Sequence, residues 1–584
     1  MLDSSAFLNV EASVTGRRWL GPSAEHERLG LAIAQSTGLP ELVGRVLARR
    51  GVTPAEAAAF LAPSLRDLMP DPSRLRDMDR AALRFWQAVQ KRERIAVFAD
   101  YDVDGGASAA LLLVWLREMG LAATLYIPDR IDEGYGPNVP AMESLGAAHD
   151  LIVCVDCGTL SHEPIAAAGT DVIVLDHHLG AETLPPALAV VNPNRQDEDG
   201  SLGYLCAAGV VFLLLVAVNR LARTEGADVP DLLGLLDLVA LATVADVAPL
   251  VGLNRAFVRQ GLKIMAQRGR PGIAALAQSA GSNGPVTAFS LGFVLGPRVN
   301  AGGRVGAADL GARLLATADP HEAAALAARL EALNAERRAI EASVRAAAEA
   351  EAAARPDGPL VWAAGAGWHP GVVGIVASRL KDAFHRPAVV IGFDGDAGKG
   401  SGRSVNGLDL GAVIHQLARE GLIEKGGGHR MAAGLSLSRA QLEPAMARLG
   451  DLLASQAPEA APAPRSLRID GIVAPAAATP ALVSALADAG PYGAGAPAPR
   501  VALAGVRLAG TRRVGDSHLA LSLAGTGGGP RLEAIAFRAF EGPLGPFLAE
   551  RVGGGLHVAG RLERDDWGGR TRVKLHVEDA APGD

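Results

Sequence analysis

At 584 residues the chain is too long for a single hydrophobic core and predicts three or four domains. Its composition is globular, 49% hydrophobic, 20% charged and only 4% aromatic, and its net charge of −7 excludes a global pull on nucleic acid. Any nucleic-acid partner must be held by local patches. The start "MLDSSAFLNV" lacks the basic end and apolar core of a secretion signal, and three cysteines cannot build a disulfide framework, so a reducing cytoplasm is the expected compartment.

Residues 1–90 read as a region of short helices, with Thr53 and Glu56 forming a capping box. An α/β domain is expected over 91–318. Its strands are the short apolar runs "RIAVFA", "ATLYIP", "LIVCVD", "VIVLD" and "ALAVVN", separated by helical or loop stretches. Runs apolar on both faces argue for a parallel sheet covered by helices. The run 206–218 falls short of a membrane span and ends at Asn219 and Arg220, so it is expected as a buried helix. Cys154 and Cys157 form a CxxC, but Cys154 sits within a strand rather than opening a helix. Only Cys206 could join them, so buried filler is expected instead of a redox or zinc site.

Residues 319–355 predict one long connecting helix whose charges form a solvated face. A second α/β domain follows at 356–453, a Pro/Ala linker at 454–466, and Gly-punctuated strands at 467–584 that suggest an OB-type barrel.

In open parallel sheets, ligands sit at the carboxyl ends of strands. The first run ends at Asp100, Asp102 and Asp104, the third at Asp156, and the fourth at Asp176, His177 and His178. A later helical segment ends at Asp246. So many acids would repel one another unless divalent cations lay between them. Carboxylates with imidazole and no thiolate suit Mn²⁺ or Mg²⁺. A pair of such ions can clamp a phosphoryl group and lower the pKa of a water between them, which is phosphoester hydrolysis. Within "DHH", one histidine can bind metal while its neighbour faces the phosphate. Asp176 either orients them or caps the turn.

In this order, "DYDVDG", "VDCG", "DHH" and "ADVAPL" resemble the four motifs of the DHH phosphoesterases, and "EKGGGHRMAAG" resembles the signature of their DHHA1 domain. "IPDRIDEGYGPN", "GPRVNAGGR", "GSGRSVNGLDL", "GPYGAGAPAP" and "VAGRLERDDWGG" extend the resemblance to the RecJ branch, from about residue 20 to about 580. That resemblance implies a 5′-to-3′ exonuclease on single-stranded DNA, using two Mn²⁺ or Mg²⁺ ions and carrying an OB-fold. It implies work beside single-strand-binding protein and helicases in repair and recombination. Monomer is the default state. The alternatives are a DHH phosphodiesterase acting on oligoribonucleotides, cyclic dinucleotides or pyrophosphate, and a DNA-binding scaffold with a dead site.

The resemblance assigns Asp102, Asp104, Asp156, His177 and Asp246 to the metals, with Asp156 as bridge, which leaves His178 as the histidine expected to face the phosphate. Phe98 stands where some DHH enzymes carry a metal-binding histidine, which leaves that position to water or Asp100. Ala496 replaces an asparagine of the family pattern, an exchange expected to alter a loop. The backbone of Gly427 and Gly428, with His429, is expected to contact phosphate. Arg298, Asn300 and Arg304 in a Gly/Pro-broken loop are expected to position the strand. Arg130, with Ser401 and Arg403 in a glycine-rich loop, is expected to hold the terminal 5′ phosphate. Tyr135, Trp368 and Trp567 are candidate stacking platforms, with packing an equal rival for each.

Overall fold

The computed structural model describes residues 6–130, 132–282, 284–456, 465–565 and 571–583. Trp567 and most of the expected linker lie outside them. The chain forms two units, one of Met1–Met69, Pro249–Ala256 and Pro462–Asp584, the other of Pro70–Ala248 and Phe257–Ala461. Strand β1 (Arg18–Leu20) belongs to the smaller unit.

In the larger unit, β2 (Ile95–Ala99), β3 (Ala123–Tyr126), β4 (Leu151–Val155), β5 (Asp171–Leu175) and β6 (Ala189–Val191) form a parallel sheet in the order β3-β2-β4-β5-β6. β2 and β4 are buried along their whole length, as apolar runs covered on both faces must be. The connections leaving β2 and β3 carry the chain to opposite sides of β2. The crevice at this reversal opens at the carboxyl ends of β2 and β4. Helix Ala207–Thr224 is apolar and long enough to cross a membrane, yet 72% of it is buried inside the protein, which makes it a core helix. The three cysteines are free and buried.

Helix Pro320–Ala354 has 35 residues, about 52 Å at the α-helical rise. It packs on helices Pro271–Ser279 and Gly296–Val305. Its second half places Val344, Ala348 and Ala352 in a core with Val361, Val372 and Val376. Its charges are not all solvated, because Arg337 and Glu341 pair at 2.8 Å with side chains only 11% and 14% exposed, and Arg379 of a neighbouring helix approaches Glu341. Beyond it, β7 (Val361–Ala366), β8 (Ala388–Asp394), β9 (Ala397–Arg403), β10 (Lys425–His429) and β11 (Ala432–Ser438) form a sheet in the order β10-β11-β9-β8-β7. Only β7 and β8 run parallel among these neighbours.

In the smaller unit, β12 (Ser466–Arg468) pairs with β1, and β13 (Gly471–Ile472) pairs with β14 (Val501–Val514). β15 (His518–Ala524), β16 (Leu532–Ala536), β17 (Gly555–Asp565) and β18 (Arg572–Pro582) continue the sheet, and β17 pairs back to β14. That closes a five-stranded barrel, β14-β15-β16-β18-β17. The N-terminal helices share its core, with Ile33, Val43 and Leu47 in one cluster with Leu503, Leu521 and Leu556. Ala496 is buried and pairs with Gly493.

Three segments expected as loops or turns are regular. Gly296–Val305 is helical, with Pro297 in its first turn, where a missing N–H costs nothing. Ser401 and Arg403 lie on β9, and Gly427, Gly428 and His429 form the edge strand β10. Glycine here permits close approach instead of breaking structure. A methyl at Gly303 would sit 2.8 Å from the Tyr101 carbonyl oxygen, and one at Gly428 would sit 2.5 Å from Ala433 Cα.

Candidate metal centre

The centre begins where β2 stops. Asp100 follows directly, and the chain turns through Tyr101 into helix Val103–Glu118. Asp102 caps that helix, its carboxylate accepting from the N–H groups of Asp104 (2.8 Å) and Gly105 (3.2 Å). A methyl at Gly105 would lie 2.4 Å from the Asp100 carbonyl oxygen, so only glycine lets the helix fold back over the strand end. Gly105→Ala should destabilise the protein by about 1–3 kcal/mol. A melting curve unchanged from the parent would show that the turn relaxes freely.

Asp104 is buried and accepts from the N–H groups of Ala207 (2.7 Å) and Ala208 (2.8 Å), the start of helix Ala207–Thr224. Asp156 follows β4 at φ +60°, a left-handed conformation that aspartate tolerates better than most residues. Its carbonyl oxygen accepts the Tyr135 hydroxyl at 3.1 Å. Asp176 follows β5 and accepts from the N–H groups of Thr159 (3.1 Å), His177 (2.8 Å) and His178 (3.2 Å). It also takes a hydrogen bond from His178 Nδ1 at 2.8 Å, which leaves Nε2 as the other ring nitrogen.

These turns bring the acids and imidazoles together. His177 Nε2 lies 3.3 Å from Asp156 Oδ1 and 3.7 Å from Asp104 Oδ2, and Nδ1 lies 3.9 Å from Asp246 Oδ2. Three overlapping sets each gather their donor atoms within 4.8 Å: Asp104, His177 and Asp246; Asp100, Asp102 and Asp156; and Asp156, His177 and His178. Phe98 stacks on Tyr126 at 5.4 Å and offers no ligand atom, while Asp100 joins the second set.

Burial, and then neighbouring carboxylates, push Asp100, Asp156 and Asp246 above the ordinary range, Asp246 to about 8. Burial likewise raises Asp104, with His177 opposing. Burial would raise Asp176 too, but the His178 hydrogen bond and charge hold it well below the usual carboxylate range. Burial opposes protonation of His178, and Asp176 outweighs it, raising His178 to about 9. Asp100 Oδ1 and Asp156 Oδ1 are buried and accept no hydrogen bond from the described residues. Orphaned oxygens amid mutual repulsion, with imidazole and no thiolate among the donors, fit hard divalent cations.

Arg130 lies near Asp100 and Arg304 near Asp102, and Arg403 lies near Arg130. Arg130 stands 4.9 Å from the Tyr101 ring centre, and Arg304 donates to the Gly371 carbonyl at 3.1 Å. Arg403 donates to Ser401 Oγ at 2.9 Å. Burial and then Arg130 lower both Arg304, to about 10, and Arg403. Such mutual repulsion is relieved by an anion. Arg298 is not among them, for its guanidinium is held by Glu331 and the Val294 carbonyl. Asn300 Oδ1 accepts from the Val103 N–H at 3.0 Å, tying its helix to the capping turn. Trp368 packs over Gly365, where even a methyl would meet its ring at 2.1 Å.

Sequence reasoning missed the supports of the histidine turn. Asn192 Nδ2 donates to the His178 carbonyl (2.8 Å) and Thr159 Oγ1 (2.9 Å), and Asn194 Nδ2 donates to the His177 carbonyl (2.6 Å). Both follow β6, so reading the end of "ALAVVN" like the other strand ends would have found them.

Comparison with known proteins matches the DHH family, N-terminal domain, over residues 94–243, the DHHA1 domain over 357–455 and the RecJ OB domain over 469–579. The single-stranded-DNA-specific exonuclease RecJ of Dickeya dadantii is 38% identical over 566 residues, covering 93% of this chain and 96% of that protein. The Escherichia coli enzyme of the same name is 36% identical over 567 residues, with the same coverage of both chains. The crystal structure of RecJ from Thermus thermophilus in complex with Mn²⁺ superposes with a TM-score of 0.81 at 30% identity, covering 98% of this chain and 80% of that one. Its Mg²⁺ complex gives 0.73 at 28% identity, covering 98% and 79%.

Proposed function

The chain belongs to the RecJ family of single-stranded-DNA-specific exonucleases, and from that premise we propose that it cuts mononucleotides from the 5′ end of single-stranded DNA. The observation that carries the reading is three candidate cation sets linked through Asp156 and His177, with a cluster of arginines nearby. Bound there, Mn²⁺ or Mg²⁺ would supply charge to the scissile phosphate and acidify the attacking water.

The side chains do the positioning. Asp104, His177 and Asp246 would hold one ion, Asp100 and Asp102 the other, and Asp156 would bridge them. Asp176 fixes the His178 ring through Nδ1, so that Nε2 can donate to a phosphate oxygen. Arg130, Ser401 and Arg403, joined by Arg304, would bind the terminal 5′ phosphate and so set polarity. Tyr135, its hydroxyl held by Asp156 and its ring 5.6 Å from His178, would border the first nucleotide. Gly427, Gly428 and His429 would contact phosphate from the edge strand β10. We also place the protein in DNA repair and recombination in the cytoplasm, as a monomer supplied by single-strand-binding protein and a helicase.

The test gives purified protein and Mn²⁺ end-labelled single-stranded DNA, duplex DNA, a short RNA and cyclic di-AMP. Mononucleotide release from the 5′ end of the single strand is the expected result. Hydrolysis confined to the RNA or the cyclic dinucleotide would replace this reading with that of a small-substrate phosphodiesterase.

A further inference from the structure

Two phenylalanines stand in water where packing would ordinarily hide them. Phe289 is 66% exposed and Phe293 72%, and their rings stack on each other at 4.9 Å and 27°. Both lie on a helical run that widens into π-helical geometry over Leu291–Leu295, an irregularity that often marks a functional position.

The helix shows where this pair points. Ala288, Leu291, Leu295, Val299 and Gly302 face the interior. One or two residues after each of these, Phe289, Phe293, Pro297, Asn300 and Arg304 recur at intervals of three or four and so share a stripe. At one end of the stripe, Asn300 holds the Val103 N–H and Arg304 lies near Arg130 and Asp102. Towards the other, glycines bring the helix against the last turn before Asp246. A methyl at Gly292 would lie 3.4 Å from Val244 Cγ1, and one at Gly296 would lie 3.3 Å from Ala245 Cβ. The aromatic pair is thus continuous with the acid cluster, and Phe293 stands about 17 Å along the helix from Arg304.

We propose that Phe289 and Phe293 form a base-stacking platform for the third and later nucleotides, on the 3′ side of the cleaved bond. The idea rests on the exonuclease reading above, in which the arginine end of the stripe takes the 5′ phosphate. A strand running from there past Asp246 reaches the exposed rings next. Stacked rings are sequence-tolerant supports for bases, and alanine substitution of such supports weakens binding by about 10-fold or more. A pair of exposed aromatics at the edge of a charged cleft suits a strand whose bases turn outward from its phosphates.

The test compares the parent with Phe289→Leu/Phe293→Leu, which keeps apolar bulk, and Phe289→Tyr/Phe293→Tyr, which keeps the ring. Each is given Mn²⁺ with a 5′-phosphorylated dinucleotide or a 20-nucleotide single strand carrying 2-aminopurine at successive positions. The leucine pair should leave kcat/KM on the dinucleotide within about two-fold of the parent and lower it on the long strand about 10-fold, through KM. It should also lose 2-aminopurine quenching at positions beyond the second, and the tyrosine pair should restore both. Equal activity of leucine pair and parent on the long strand would overturn the platform and leave the patch to a protein partner. An equal fall on both substrates would also overturn it, by showing that the pair only supports the centre. If the parent hydrolyses neither substrate, the exonuclease reading itself has failed and the platform falls with it.

Discussion

Asp156→Asn is expected to cut hydrolysis of single-stranded DNA by about 10³-fold or more while leaving DNA binding largely intact. The substitution keeps the shape of the side chain and a residue that tolerates the left-handed φ of +60°. It removes a charge from the point where two candidate cation sets meet. Metal clamping of a phosphoryl group supplies several kcal/mol, and each 1.36 kcal/mol is about tenfold in rate. Asp104→Ala is a less clean choice, because it would also strand the N–H groups of Ala207 and Ala208. Initial rates and filter binding on the same oligonucleotide separate the outcomes. Near-parental turnover would remove Asp156 from the centre, and lost binding would mean that the variant is misfolded.

Stability of the metal-free protein should fall as pH rises from about 5 to about 8.5. Asp246 is raised to about 8 from an ordinary value of 3.8, and Asp100, Asp104 and Asp156 are raised in the same sense. A carboxyl group raised on folding binds more protons in the folded chain, so stability drains away as pH climbs through that window. His178, raised to about 9, adds to the slope in its upper part, since a histidine that gains a partner loses that support as it deprotonates. The depressed Asp176 acts only below the ordinary carboxylate range and does not oppose it. With EDTA present, Tm should be at least about 5 °C lower at pH 8.5 than at pH 5.5, and Mn²⁺ should restore most of the loss at the higher pH. A chelated protein whose Tm is flat or rising across this interval would mean that the carboxylates are not packed together as described.

The parallel sheet was legible because burial on both faces leaves an unmixed apolar run, as in Ile95–Ala99 and Leu151–Val155. The barrel was legible from strands punctuated by glycine, and the long helix from 35 residues without an internal glycine. The same glycines misled elsewhere. Gly302 and Gly303 sit inside a helix because Ala307 and Tyr101 press against it, and Gly398, Gly400 and Gly402 line a strand paired on both sides. Close approach and flexibility write the same letter, and only the neighbours across space distinguish them. At the centre, the strand-end rule located the acids and imidazoles that the fold gathers. It could not show that Arg298 turns away to Glu331, since that partner lies 33 residues further on. Nor could it show the joint use of Asp104, whose second partners begin 103 residues away.

That joint use has a practical consequence. The carboxylate of Asp104 shares its electrons between the centre and the first two free amides of helix Ala207–Thr224. Whatever draws charge from the carboxylate weakens its hold on those amides, which are buried and so sheltered from exchange with solvent. The N–H groups of Ala207 and Ala208 are therefore a built-in gauge of the centre, readable by amide resonance without a labelled substrate or a turnover.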